Sequence, residues 1–438
     1  MQIRHIIAAL LLGSVPLLGW AELSSADSSD LPSLNQTQRV NASSTLALED
    51  AIARTLKNNP QLYQYRFRQK SLTAQRETSS LSPALQLGLE VENIAGSGEF
   101  NGVDSAETTL ALSSVIELGG KSRSRVGLVD ARTDRLDFER QAATLDLLGE
   151  LTALFIRCRS TQENIHLAEE AVTLSKQMLT TVEARAAKGA APEAEVMRAK
   201  AALTRASIRF QALRSSFERQ KVVLSSFWGD TNPRFAELSG SLSAFGTSDD
   251  FASLLQRAKK SPAIAIFASE ARMKDAEVKL AQAQSRVDIG WQLGVRRFEE
   301  TDDTALVAGI SIPLFSGKRN RSSITSALAE RNAVDYQQAD AMLKLHSRLF
   351  TAFSQREENT AAVEQFNSHV LPALEKALAL TQQAYENGRY RYQDWIAAQE
   401  ELLTAKQQRI EAATAAQLNQ ALIEQLIAEP LGTNHLPY

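Results

Sequence analysis

The sequence predicts a mixed α/β membrane protein whose copies pool a few strands into a β-barrel that very long helices continue. Three observations carry this. Two pairs of alternating segments, about ten residues per arm, have the length of tilted membrane-spanning strands. Two stretches of about 65 residues are almost free of helix breakers and would span on the order of 100 Å as rods. Landmarks in the first half return in order in the second, close to 200 residues on.

The bulk properties remove competing classes. The chain has 438 residues with 48 Lys+Arg against 51 Asp+Glu, a formal net charge of −3. That balance lacks the basic field of a nucleic-acid binder. The single cysteine, Cys158, excludes an intramolecular disulfide framework, a CxxC redox site and a Cys-clustered metal. Five histidines are scattered, and His166, His346 and His369 stand alone in helical stretches. No cofactor is expected. Neither GxSxG, HExxH nor a glycine-rich phosphate loop is present, so an enzyme is not expected.

Taken in order, residues 1–21 read as a signal peptide. Arg4 supplies the basic region, Ile6–Leu18 the apolar run, and Gly19-Trp20-Ala21 the small residues before cleavage. Residues 22–45, rich in Ser, Asp, Asn and Thr, read as a flexible arm. A first repeat unit is expected over 46–230, a linker over 231–248, a second unit over 249–428 and a tail over 429–438. Pro60 and Pro262 lie 202 residues apart, Lys121 and Lys318 lie 197 apart, and Gly189 and Gly388 lie 199 apart. Each unit reads as helix (47–80; 249–286), hairpin (84–117; 287–315), long helix (122–186; 319–386), glycine-marked turn and last helix (191–228; 390–428). Pro60 and Pro262 mark a helix start or a break between two short helices.

In the hairpins, Leu85, Leu87, Leu89 and Val91 alternate with Gln86, Gly88, Glu90 and Glu92. Val287, Ile289, Trp291, Leu293 and Val295 alternate with Asp288, Gly290, Gln292, Gly294 and Arg296. That is period two. A four-stranded soluble sheet is the competing reading, as a plain dimeric coiled coil is for the helices. In lipid, however, four strands have forbidden edges, so copies would have to share a wall: three give twelve strands, two give eight.

The duplication, Asn59-Pro60-Gln61-Leu62, the strand exits Glu117-Leu118-Gly119-Gly120-Lys121 and Pro313-Leu314-Phe315-Ser316-Gly317-Lys318, and the turn Ala384-Tyr385-Glu386-Asn387-Gly388 together resemble the TolC-type outer-membrane efflux family over about residues 45–428. The Glu-Leu-Gly-Gly-Lys exit is most similar to its heavy-metal branch. The resemblance implies a homotrimeric twelve-stranded transmembrane β-barrel, four strands per chain, continued by a long α-helical periplasmic tunnel. Besides outer-membrane lipid, it implies as partners two further copies in a homotrimer, a periplasmic adaptor, and an inner-membrane pump of the resistance-nodulation-division class. The implied role is passive conduction of heavy-metal cations across the Gram-negative outer membrane. Drugs, other organic solutes and type I protein secretion are alternatives, as is a periplasmic scaffold or adaptor.

Residue by residue, the resemblance implies barrel–helix junctions at Pro83, Gly119, Gly120, Lys121, Pro313, Gly317 and Lys318. It implies adaptor-docking tips at Arg185, Lys188, Gly189, Gly388, Arg389 and Arg391, and a barrel lumen bearing Glu90, Glu92 and Arg296. Asp394 matches a periplasmic gate aspartate, although the second acidic position of that pattern is Ala397 here.

Overall fold

The structure, a computed structural model, describes residues 45–246, 249–314 and 316–429. The expected signal peptide, nearly all of the arm and the tail beyond Glu429 lie outside the described residues.

The chain opens with β1 (Thr45–Leu46), α1 (Leu48–Asn58) and α2 (Pro60–Ser80), then β2 (Gln86–Glu92) and β3 (Glu107–Ile116), then α3 (Lys121–Ala187) and α4 (Glu193–Ser226). After β4 (Glu237–Leu238) the order returns: α5 (Phe251–Ala258), α6 (Pro262–Gln284), β5 (Ile289–Phe298), β6 (Thr304–Ser311), α7 (Ser316–Gln365), a π turn at Phe366–Val370, α8 (Leu371–Glu386) and α9 (Tyr392–Ile427).

Both prolines fall at a break between two short helices. Asn59 Oδ1 accepts from the Gln61 N–H at 2.8 Å, Pro60 takes the first turn of α2, and Asn59 Nδ2 donates to the Phe227 carbonyl at 2.8 Å. Asp250 caps α5 by accepting from the Ser253 N–H, and Pro262 begins α6.

The 67-residue α3 is unbroken. Its counterpart is not, which corrects the expected single helix over 319–386. Pro372 has no N–H for the carbonyl four residues back, at Ser368. The chain meets this by widening to a π turn over Phe366–Val370 before resuming as α8.

Residues 231–248, expected as a linker, are no slack tether where they are described. β4 pairs in parallel with β1, Thr45 beside Glu237 and Leu46 beside Leu238. Gln162 of α3 closes this ribbon, its Oε1 accepting from the Leu238 N–H at 2.9 Å. Phe235, Leu238 and Leu242 are buried.

In place of one central core, the helices bury a series of separate clusters. One gathers Leu151, Phe155, Phe217, Leu224 and Trp228; another Leu254, Leu345, Leu349 and Ile423; a third Val182, Tyr385, Tyr392 and Trp395. Rods sharing narrow seams have no single centre to bury.

Candidate functional site

The four long strands form one antiparallel sheet in the order β2-β3-β5-β6. Register decides its faces. Leu89 stands opposite Leu110, Leu110 opposite Val295, and Val295 opposite Leu306. Leu87, Leu112, Leu293 and Ala308 make the neighbouring row. These apolar side chains face outward: Leu306 is 87% exposed, Leu87 73% and Ile310 76%. A soluble sheet buries such a face, which removes the soluble-sheet alternative.

The other face is small and polar. Gly88, Ala111, Gly294 and Val307 share one row, and Glu90, Thr109, Arg296 and Ala305 the next. Glu90, Glu92 and Arg296 therefore lie on one face. Arg296 is held by Glu92 at 2.9 Å, by Glu107 at 2.7 Å and by Thr109 Oγ1 at 2.9 Å. Glu107, which stands opposite Glu92 across the hairpin, escaped the sequence analysis. The first turn occupies residues 93–106, with a short 3-10 segment at Gly98–Phe100.

Where strands meet helices, a polar collar ties the two hairpins together. Lys121 is buried and pairs with Asp288 at 2.6 Å; the same carboxylate accepts from the Leu118 N–H. Arg125 grips Glu117 through two bonds of 2.6 and 2.9 Å and also donates to the Leu81 and Ser79 carbonyls. Gly119 and Gly120 are both left-handed, and a Cβ on Gly119 would lie 2.5 Å from Arg286 Cγ. Pro83 precedes β2, its carbonyl accepting from Ser114 Oγ. The second exit is built differently. Pro313 follows β6, while Gly317 and Lys318 lie inside the first turn of α7 without left-handed geometry. Asp288, Glu117 and Arg125 are the collar residues missed from sequence.

At the far end of the helices, two turns lie side by side. Gly189 and Gly388 are left-handed, and Lys188, Arg389 and Arg391 are exposed. Arg185, one of the residues expected at the docking tips, is half-buried between the two turns. It donates to the Tyr385 and Glu386 carbonyls of one turn and to the Ala190 carbonyl of the other, and stacks 4.5 Å over the Tyr385 ring. Its five fixed donors suit it to bridging carbonyls. The Tyr385 hydroxyl donates to Glu195 at 3.0 Å; burial, then this carboxylate, pushes its pKa to about 12. Asp394 sits in the first turn of α9, where its Oδ2 accepts from the Arg391 N–H at 2.9 Å. That bond, with the Arg391 side chain, holds its carboxyl below the ordinary range. In this protomer Asp394 is a helix cap.

Cys158 is fully buried, and desolvation pushes its thiol to about 12, which leaves it unreactive. No group of three or more His, Cys, Asp or Glu is placed to hold a metal ion among the described residues. No described helix is long and apolar enough to cross a membrane.

A sheet with lipid-compatible residues outside, a charged face within, two unpaired edges and helical rods below defines the subunit of a membrane-barrel channel. The chain belongs to the outer membrane efflux protein family, which it matches over residues 51–230 and 253–429. It is similar to the cobalt-zinc-cadmium resistance protein CzcC of Cupriavidus metallidurans, 23% identical over 299 residues that cover 68% of this chain and 72% of that one. It is also similar to the nickel-cobalt-cadmium resistance protein NccC of Alcaligenes xylosoxydans xylosoxydans, 24% identical over 272 residues, or 60% of each. The chain therefore spans less than two thirds of the second relative. Among solved structures, the outer membrane protein VceC of Vibrio cholerae matches with a TM-score of 0.69 at 21% identity, covering 86% of this chain and 95% of that one. The fold is that of the TolC-type trimeric channels, four strands of a twelve-stranded barrel above a coiled coil. The protein is an outer-membrane channel component with its helices in the periplasm, a transporter part rather than an enzyme.

Proposed function

We propose that three copies form a conduit for heavy-metal cations, fed by a periplasmic adaptor and an inner-membrane pump of the resistance-nodulation-division class that supplies the energy. The observation that carries the conduit is the inverted sheet, apolar outside and charged inside, with β2 and β6 each offering an open edge to another copy. The cargo rests on the metal-resistance names of the relatives and on the acidic excess of the sheet's charged face, where Glu90, Glu92 and Glu107 outnumber Arg296.

In this reading Glu90, Glu92 and Arg296 line the lumen, and Lys188, Arg389 and Arg391 meet the adaptor beside Gly189 and Gly388. Arg185 fixes the shape of that surface. Three Asp394 carboxylates, held ionised by their helix caps, would ring the narrow end and attract cations. Pro83, Gly119, Gly120, Lys121, Pro313, Gly317 and Lys318 form the turn from barrel to tunnel.

The test is a deletion strain grown on cobalt, zinc, cadmium and nickel salts and on a panel of organic toxicants. Sensitivity to the cations, restored by the intact gene, is expected. Sensitivity confined to organic compounds would overturn the cargo assignment.

A further inference from the structure

The two ends of the sheet carry opposite charge. At the turn end, residues 90–107 and 296–303 hold nine Asp or Glu against two Arg. At the helix end, residues 117–125, 286–288 and 318–321 hold seven Lys or Arg against two acids. Both of those acids are already engaged, Asp288 by Lys121 and Glu117 by Arg125. Arg123, Arg286, Lys318 and Arg321 are exposed and pair with no carboxylate among the described residues.

These four cations stand at a definite level. Leu85, Leu118, Ile312 and Leu314 are exposed around the same strand ends, Leu314 to 72%. Trp291 lies on the outward apolar face, paired with Ser114 and Ile310 close to the collar. A tryptophan at the end of an apolar belt marks a membrane–water interface. Cations just beyond that interface meet lipid headgroups and are drawn to an anionic surface. Since the helices are periplasmic, the leaflet at this level is the periplasmic one.

We propose that Arg123, Arg286, Lys318 and Arg321 form a headgroup collar that holds anionic phospholipid of the periplasmic leaflet against the base of the barrel. The acidic turns at the opposite end exclude such lipid there. The collar thus fixes the depth and orientation of the sheet in the bilayer. The inference rests on the sheet standing in a membrane, and its test separates the two.

The full-length assembly, purified in detergent, is offered phosphatidylglycerol or phosphatidylethanolamine, and retained lipid is counted by native mass spectrometry. The intact protein should retain phosphatidylglycerol at least about tenfold better, less so at high salt. The quadruple Arg123→Gln, Arg286→Gln, Lys318→Gln, Arg321→Gln variant should lose that preference, whereas Glu300→Gln with Asp303→Asn should keep it. Equal retention of both lipids by the intact protein overturns the proposal whether or not the quadruple variant assembles. So does a variant that keeps the preference while its pore changes cation-over-anion selectivity, because the four side chains then face the lumen. A heat-modifiable assembly in the outer-membrane fraction reports the membrane location independently of either lipid result.

Discussion

The sheet and the helical tips solve opposite packing problems with one chain. In the sheet the largest apolar side chains are the most exposed, Leu306 and Ile310 among them, while Thr109 and Ala111 on the other face are buried. At the tips the order is ordinary: Tyr385, Tyr392 and Trp395 are each no more than 3% exposed, and Lys188, Arg389 and Arg391 face water. Neither region is anomalous in its own solvent. Hydrocarbon gives leucine no reason to hide, and water gives aromatic rings every reason. The contrast teaches that burial has to be judged against the medium each segment occupies.

The substitution expected to divide the regions most sharply is Leu110→Arg, in the middle of the outward face. A midplane arginine on a barrel costs about 2–4 kcal/mol, and an assembled ring carries it in every copy. Heat-modifiable assembly should disappear from the outer-membrane fraction while Leu110→Ile remains normal. Full recovery of the Arg variant would mean that this face does not meet lipid.

Next is Trp395→Ala, which should open the tip core at a cost of about 3–5 kcal/mol. Limited proteolysis should cut faster near Gly189 and Gly388, with the barrel band unchanged. Loss of the barrel instead would tie the two regions together more tightly than their separate clusters imply.

The collar gives a sharper third test. Asp288→Asn leaves Lys121 without its counter-charge in a partly buried place, a loss of about 2 kcal/mol. The double change Lys121→Met with Asp288→Leu should recover most of it, as read from the temperature at which the assembly dissociates. A similar but smaller effect is expected at the tips. Arg185→Ala removes donors to three carbonyls and a ring contact, about 1–2 kcal/mol in all. Hydrogen exchange should accelerate in both turns together; acceleration in one turn only would show that Arg185 does not couple them.

The smallest effect concerns pH. The Asp394 carboxyl is depressed in the folded state, so its contribution is complete above the ordinary carboxylate pKa and is lost as pH falls through the lower folded value. The protection of the amides at the start of α9, corrected for the intrinsic pH dependence of exchange, should weaken on acidification in the intact chain and change little with pH in Asp394→Asn. Tyr385 has the opposite sign. Its folded pKa of about 12 exceeds the ordinary value of 10, so its contribution holds below pH 10 and fades as pH rises toward 12.

The strands were legible because period two survives in the letters of Leu85–Glu92 and Val287–Arg296, and the long helices because α3 contains no proline. The exits were legible from Gly119-Gly120 and from Pro313. The bonds of Arg185 were not legible for a physical reason: a charged residue four positions before a turn glycine looks solvated. Only the neighbouring turn, 200 residues away, supplies the carbonyls that draw it inward. Glu107, Asp288 and Glu195 were missed because their partners lie in other elements. The π turn was not foreseen, because a lone proline such as Pro372 does not say whether a helix will kink, stop or widen around it.

The amino-acid order alone thus settled what neighbouring residues settle among themselves. It fixed strand period, helix length, breaks at Asn59-Pro60 and Ser261-Pro262, and the direction in which apolar side chains alternate. These depend on local sterics and spacing, which a linear string records. Tertiary structure decided the rest: β3 beside β5 in a single sheet, Lys121 against Asp288, Arg185 across two turns, and residues 231–246 folded back on α3. Each of those joins groups far apart in the chain, and only the closed geometry of the fold determines which distant partner a buried charge or an unpaired strand will find.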